Sequence, residues 1–277
     1  MKVERGTELL ARNTKNSGFL KVYYVFVFYT KAIKRKRGTY MEKRYLENTK
    51  MLNYEAESIQ SLIKSRKWLE LDDYHKIGAI YDFVRNDIVF GYNSSDLLTA
   101  EEVLKDGYGQ CNTKATLLMA LLRGVGIACR LHGSEVSKYF QKGATSGIIS
   151  MLAPKRIVHT WVEVLYKDNW IALEGVITDE RYVKAVKEKF ENVSGHFGAY
   201  AIAVPDLKSL NLEWCGKDTY VQNEAVVIDY GTYENPDTFF EKYPQTMSKL
   251  KNFAYVIYGR KIMTKNVSKI RNGKSSL

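Results

Sequence analysis

Gly107-Tyr-Gly-Gln-Cys-Asn-Thr-Lys-Ala-Thr-Leu-Leu-Met-Ala-Leu-Leu-Arg-Gly124 is the stretch on which the reading of this chain turns. Ala115, Leu118, Met119 and Leu122 recur at helical spacing and form one apolar stripe, and Gly124 and Gly126 stop the helix. Gly107 and Gly109 make a tight connection, so Cys111 falls at or just before the first helical turn. A thiol attacks a carbonyl efficiently only as the thiolate. A helix N-terminus favours that anion through its dipole and its unpaired N–H groups, and the same N–H groups suit the oxyanion of a tetrahedral intermediate.

Upstream, residues 54–68 and 74–86 read as helices, the second through Ile77, Ile80, Tyr81 and Val84. Ile88 to Tyr92 reads as a short extended run, Asn93-Ser-Ser-Asp96 as turn material, and Thr99-Ala-Glu-Glu102 as a capping box. Downstream, Ile127 to Leu131 reads as a strand and residues 133–153 as a loop with a short helix before Pro154. Ile157 to Tyr166 and Trp170 to Ile177 read as a hairpin joined by the three residues Lys167-Asp-Asn169. A helix over 180–192, a strand over 225–229 and a helix opening at Pro236 follow.

The chain has four histidines, His75, His132, His159 and His196. His159 begins the first hairpin strand in Val-His-Thr-Trp-Val-Glu-Val, with Trp161 and Glu163 on its face. Glu174 lies on the returning strand, so the hairpin makes it a cross-strand neighbour of His159. A carboxylate there fixes the imidazole tautomer and stabilises its charged form. Cys111, His159 and Glu174 therefore form a coherent nucleophile, base and orienting acid.

"AEEVLKDGYGQCNTKATLLMALLRGVGIACRLHG" followed by "HTWVEVLYKDNWIALEGV" resembles the core of the transglutaminase-like superfamily, and "KIGAIYDFVRNDIVFGYN" is similar to its lead-in helix and strand. The resemblance covers roughly residues 74–178. It implies an α+β fold with a papain-related core, in which a cysteine-bearing helix packs on an antiparallel sheet that carries histidine and acid. It also implies acyl transfer on an amide or peptide bond: hydrolysis if water accepts the acyl group, cross-linking if a lysine does, with hydrolysis preferred. One departure stands out. The family acid is usually aspartate, whereas Leu173-Glu-Gly175 stands here, and glutamate reaches further; Asp179 is the fallback acid.

Other residues divide between chemistry and packing. Gln110 and Asn112 flank the nucleophile and are candidate oxyanion donors. His132 ends the strand after the cysteine helix, with a structural or substrate-contact role. Trp161 either walls the site or packs on the cysteine helix, and Tyr92 and Tyr108 are cleft candidates. Cys129 sits in an apolar strand and reads as structural, while Cys215 has no evident pairing residue. The twenty tyrosines fit half-buried strand positions.

The net charge of +11 is unevenly placed. Residues 1–40 carry ten Lys/Arg against two Glu, and residues 249–277 carry eight Lys/Arg and no acid, which leaves residues 41–248 mildly acidic. The expected organisation is a basic N-terminal appendage (1–40), a transglutaminase-like domain (41–248) and a basic C-terminal tail (249–277). The alternative for 1–40 is an edge strand with a basic linker. The acidic body argues against specific nucleic-acid binding, although the two ends suit an anionic surface. The apolar run from Val22 to Tyr29, bracketed by Lys21 and Lys31, is shorter than the about 20 residues of a membrane span. Three scattered cysteines suggest neither a disulfide framework nor a CxxC metal site and fit a reducing cytoplasm. A thiol–imidazole pair implies no metal or organic cofactor, and the expected partner is a protein, peptide or small amide substrate. The competing expectation is a catalytically weak or inactive peptide-binding protein on the same scaffold.

Overall fold

The helix α4, Cys111–Gly124, is the centre of the molecule, and every residue from Asn112 to Arg123 is buried. An apolar stripe on one side was expected. The helix is instead enclosed all round, so its polar side chains need internal partners. Lys114 Nζ donates to the carbonyls of Arg85 and Ile177, both at 3.1 Å. The Thr116 hydroxyl donates to the Asn112 carbonyl at 3.1 Å. The Arg123 guanidinium is spread over the carbonyls of Glu47, Cys129 and Glu234. Only Arg123 Nε is left without a partner among these groups, and the remaining bonds allow a helix with a lysine and an arginine to occupy a core.

The computed structural model describes residues 43–145, 154–244 and 253–274. The expected appendage at 1–40 and part of the 133–153 loop lie outside them. The described residues from Tyr45 onward form one compact unit. Around α4 stand α1 (Glu57–Ser65), α2 (Asp73–Asp82, continued by a π turn over Phe83–Asp87) and α3 (Ala100–Asp106). The α3 helix opens on the expected capping box: the Thr99 hydroxyl accepts from Glu102 N–H, and the Glu102 carboxylate accepts from Thr99 N–H. Two residues of β1 (Val89–Phe90) pair in parallel with β2 (Tyr108–Gly109) immediately before α4.

A four-stranded antiparallel sheet lies against α4, in the order β5-β4-β3-β8. Its strands are β3 (Cys129–Ser137), β4 (Arg156–Tyr166), β5 (Asn169–Ala172) and β8 (Val226–Tyr233). The fold is thus α+β, with the cysteine-bearing helix packed on an antiparallel sheet. Cys129, Leu131 and Val136 of β3 and Val158, Val162 and Val164 of β4 are buried in the core.

The strand β3 runs well past the expected Leu131. Its polar residues read as loop, but β4 and β8 pair it on both sides, and the polar side chains find cross-strand partners. Arg130 meets Glu163 at 2.6 Å, and Tyr230 donates to Glu135 at 2.7 Å. The hairpin loop is also shorter than expected. Only Lys167 and Asp168 separate the strands, both with positive φ, as a type I′ turn demands.

Beyond the hairpin come α5 (Glu180–Lys189), the small hairpin of β6 (Phe197–Ala199) and β7 (Ile202–Val204), α6 (Pro236–Lys242) and α7 (Arg260–Arg271). The charge distribution sets 249–277 apart as a solvated tail, yet α7 packs on α5 and buries Met263, Val267 and Ile270. Its last turn brings Arg271 onto Asp179 at 2.6 Å and onto the Phe90 carbonyl at 2.8 Å. Asp179 also caps α5 by accepting from Tyr182 N–H.

Burial works against the charged Asp179 carboxylate, but the Arg271 hydrogen bonds and charge outweigh it and hold the group below its usual range. Such a group stabilises the fold above the pKa of the unfolded chain, and the contribution is lost as pH falls through the folded value. Arg271→Met leaves a buried carboxylate unpaired and should destabilise the protein by about 3 kcal/mol near neutral pH. In urea titrations, the gap between parent and variant should close as the pH is lowered below about 4.

Candidate functional site

The turn before α4 is fixed from several directions. Gly91 N–H donates to the Gly109 carbonyl at 3.0 Å, which extends the β1–β2 pairing towards the helix. A Cβ on Gly109 would stand 2.8 Å from both Thr113 Oγ1 and Lys114 Cγ, so a side chain there would press on the first turn. Asn93 ties the turn together. Its side-chain amide donates to Asp106 (2.8 Å) and the Tyr108 carbonyl (3.0 Å), its N–H donates to Gln110 Oε1 (2.8 Å), and its Oδ1 accepts from the Thr113 hydroxyl (2.6 Å). Cys111 thereby becomes the first residue of α4, partly exposed, while Asn112 to Arg123 are buried.

His159 and Glu174 have no exposed surface. The imidazole Nε2 is 2.7 Å from Glu174 Oε1. The other carboxylate oxygen, Oε2, accepts the backbone N–H groups of Val221 (2.8 Å) and Gln222 (3.0 Å). With Nε2 committed to Glu174, Nδ1 is the ring nitrogen left for Cys111, and it is buried without a hydrogen-bond partner. The His159 pKa is pushed up to about 10: burial opposes the charged ring, but the Cys111 side chain, followed by the hydrogen bond and charge of Glu174, outweighs it. The balance favours the protonated imidazole.

Glu174 was expected on the second hairpin strand, opposite the first. The ladder ends earlier: β5 stops at Ala172, Leu173 N–H donates to the Val162 carbonyl, and Glu174 opens a 3₁₀ turn, Glu174–Ile177. The expected contact forms, but through that turn and not by strand pairing. His159 itself pairs with Ser134 of β3. The fallback acid Asp179 is engaged with Arg271, Phe90 N–H and Tyr182 N–H, away from the imidazole.

The amides that flank Cys111 are occupied. Gln110 Nε2 donates to Asp96 at 3.0 Å. Asn112 Nδ2 donates to the Val158 carbonyl at 3.1 Å, and its Oδ1 accepts from the Thr160 hydroxyl at 3.0 Å and from the Cys111 thiol at 3.5 Å. Both side chains therefore brace the site.

Trp161 is buried between two imidazoles. His132 stacks on it at 4.1 Å, and the His159 ring lies 5.7 Å away, tilted by 40°. The indole Nε1 is buried without a hydrogen-bond partner. His132 bridges Glu163 (2.7 Å) and Asp229 (2.8 Å), and these carboxylates raise its pKa against the effect of burial.

Tyr92 is buried; burial, then the Cys111 charge, raises its pKa. The Tyr108 hydroxyl accepts from Arg260 at 3.2 Å. Cys129 is fully buried, as expected, and Cys215 is exposed. Cys215 lines a surface groove with Tyr74, Tyr166 and Trp170, at the opposite end of β4 from His159.

Three contributions were not visible in the sequence. They are the backbone N–H pair of Val221 and Gln222, the Asn93 hub, and Asp96, whose carboxylate sits against the residues on both sides of Cys111. Asn93 and Asp96 carry turn composition, which names a turn without showing what it holds. Among the described residues, no group of three or more His, Cys, Asp or Glu is arranged to hold a metal ion. No helix among them is long and apolar enough to cross a membrane.

Residues 64–175 match the family model described as the Transglutaminase-like superfamily. This segment is a transglutaminase-like core. It contains Cys111, His159 and Glu174. A solved structure from Cytophaga hutchinsonii, described as a candidate cysteine protease, aligns at 16% identity with a TM-score of 0.41, covering 71% of this chain and 48% of that one. The chain therefore spans about half the length of that structure. No curated protein matches the sequence.

Removing the Glu174 charge should be felt at the imidazole. In Glu174→Gln the His159 titration should move down from about 10, followed by the ring resonances in NMR. An unchanged midpoint would show that Cys111 alone sets it.

Proposed function

We propose that the chain is a thiol-dependent enzyme that cleaves amide or peptide bonds through Cys111, His159 and Glu174. The observation that carries this reading is the fully buried imidazole, held at Nε2 by a carboxylate that is itself locked by two backbone N–H groups. Its free nitrogen is left for a cysteine on the first turn of a helix. A carboxylate buried this completely needs its hydrogen bonds, and here they also prevent it from turning away from the ring.

The resting pair is thiolate and imidazolium, the proton of the thiol having moved to His159 Nδ1. The thiolate attacks the carbonyl carbon, and the oxyanion that forms takes hydrogen bonds from backbone N–H groups of the first turn of α4, the Cys111 N–H among them. Gln110 and Asn112 hold that turn in place and are not donors to the oxyanion. His159 returns the proton to the amine nitrogen as the C–N bond breaks, and a thioester remains on Cys111. His159 then takes a proton from water, the hydroxide adds to the thioester, and the acid leaves as the thiolate re-forms. Glu174 stays ionised throughout and keeps the Nε2 proton in place. Water is the acceptor we favour; a lysine amine in its place would give cross-linking by the same steps.

Alkylation of Cys111 by iodoacetamide against pH, read by intact mass, tests the site without a substrate. Cys111 should react selectively, with an apparent pKa well below about 8.5, and His159→Ala should abolish this advantage. On any amide that the protein hydrolyses, Cys111→Ala should abolish turnover and His159→Ala should lower kcat/KM by about 10²-fold or more. A Cys111 that stays inert below pH 8 in both proteins would overturn the enzyme reading in favour of a binding scaffold.

A further inference from the structure

Asp96 has no task in the mechanism above, yet it stands at the nucleophile. Gln110 Nε2 donates to Asp96 Oδ1 at 3.0 Å; the Asn112 side chain also favours the ionised carboxylate, while burial outweighs both and raises the Asp96 pKa. Gln110 and Asn112 are the two chain neighbours of Cys111. Tyr255, whose hydroxyl donates to the Asn93 carbonyl at 3.0 Å, lies within electrostatic reach of both Asp96 and Cys111. Asp96 and Cys111 are both partly exposed, while His159 and Glu174 are sealed.

Two ordinary explanations for such an aspartate fail. An aspartate in a turn usually accepts backbone N–H groups nearby, but Asp96 accepts none, and the N–H of Leu97 goes to Ser95 instead. A structural carboxylate this close to a core is usually ion-paired, but Asp96 meets no cation among the described residues. A negative charge beside a thiol that must ionise also works against the thiolate. A carboxylate accepts about four hydrogen bonds, and the one from Gln110 leaves acceptor capacity on Asp96.

We propose that Asp96 is a specificity-determining residue that binds a primary ammonium group of the substrate beside the amide attacked by Cys111. This rests on the thiol-enzyme reading given above. The ammonium belongs either to the acyl donor, as an α-amine or lysine side chain near the scissile carbonyl, or to an amine that accepts the acyl group. An ammonium docked on Asp96 removes the electrostatic penalty on the thiolate, so substrate binding and nucleophile ionisation favour one another.

Charged alkylating agents test this on the full chain. Cys111 labelling by iodoacetamide (neutral), 2-bromoethylammonium (cationic) and iodoacetate (anionic) is compared in the parent and in Asp96→Asn, each rate normalised to free cysteine, with Cys111→Ser as the blank. Asparagine keeps an acceptor for Gln110, and the iodoacetamide rate reports whether the site survives the substitution. The cationic reagent should lose at least about fivefold relative to iodoacetamide in Asp96→Asn, and iodoacetate should gain. Unchanged ratios, with iodoacetamide still labelling Cys111, would overturn the Asp96 proposal alone. Failure of iodoacetamide to label Cys111 in the parent would overturn the thiol-enzyme reading and this proposal with it. The source of the ammonium is then separated by two assays: hydrolysis of peptide amides with free against acetylated amines, and incorporation of a primary amine into a glutamine peptide. An Asp96-dependent preference in the first assigns the donor, and in the second the acceptor.

Discussion

Burying an imidazole together with a carboxylate is the constraint around which the remaining structure is arranged. Neither His159 nor Glu174 has any exposed surface, and the His159 ring is held in its charged form. Desolvation on that scale is offset only when the buried carboxylate finds donors in the right direction. Glu174 finds three: His159, Val221 N–H and Gln222 N–H. The segment that supplies the last two is itself anchored, since the Gln222 side chain donates to the Ala201 carbonyl and the Val221 carbonyl accepts from Ala203 N–H. Tyr200 and Ala201 form the turn between β6 and β7 with φ of 53° and 57°. Left-handed conformations at two residues with side chains are costly. They are held by the N–H bonds of Tyr200 and Ala201 to the carbonyls of Lys142 and Phe140. A distant hairpin thus carries strain that ends, two contacts later, in the orientation of an imidazole.

The helix that carries the cysteine meets a parallel requirement. Its N-terminus must reach the open side of the site while its body fills the core, so the single partly exposed residue at its start is Cys111. Lys114, Thr116 and Arg123 then lie where an unsatisfied group would be expensive; Lys114 and Arg123 bond to backbone carbonyls of surrounding elements, and Thr116 to the Asn112 carbonyl of its own helix. The Lys114 bonds reach the π turn after α2 and the 3₁₀ turn of Glu174, so the same ammonium ties the nucleophile's helix to the turn that presents the acid.

What the sequence shows and what it hides separate along chain distance. The α4 helix, the capping box of α3 and the hairpin of β4 and β5 rest on local periodicity and turn chemistry, and residues close in sequence suffice to read them. The candidates Cys111, His159 and Glu174 could be named for the same reason, each lying in a short pattern whose residue types fit one chemistry. The length of β3 was not legible, because the polar residues Arg130, His132 and Glu135 gain their partners only from strands about 30 and 100 residues away. The burial of α7 was hidden likewise. A basic amphipathic segment looks solvated until α5 and Asp179 are placed against it. Asp96 and the Val221–Gln222 N–H pair escaped because backbone donors and turn residues carry no signature of what they will face.

The substitution of glutamate for the aspartate expected from the resemblance is resolved by where the strand ends. Had β5 continued to Ile177, Glu174 would have stood across from Trp161 in the extended register that pairs Glu163 with Ala172, not from His159. Instead Leu173, with ψ of 42°, leaves the extended conformation after one last bond to β4. The chain turns away, and the longer side chain returns across the gap to Nε2. An aspartate placed on that 3₁₀ turn would fall short by a methylene and would also pull its second oxygen off the N–H pair of Val221 and Gln222. The longer acid and the early end of the strand are therefore one adaptation: the backbone is set back, and glutamate supplies the reach that the setback requires.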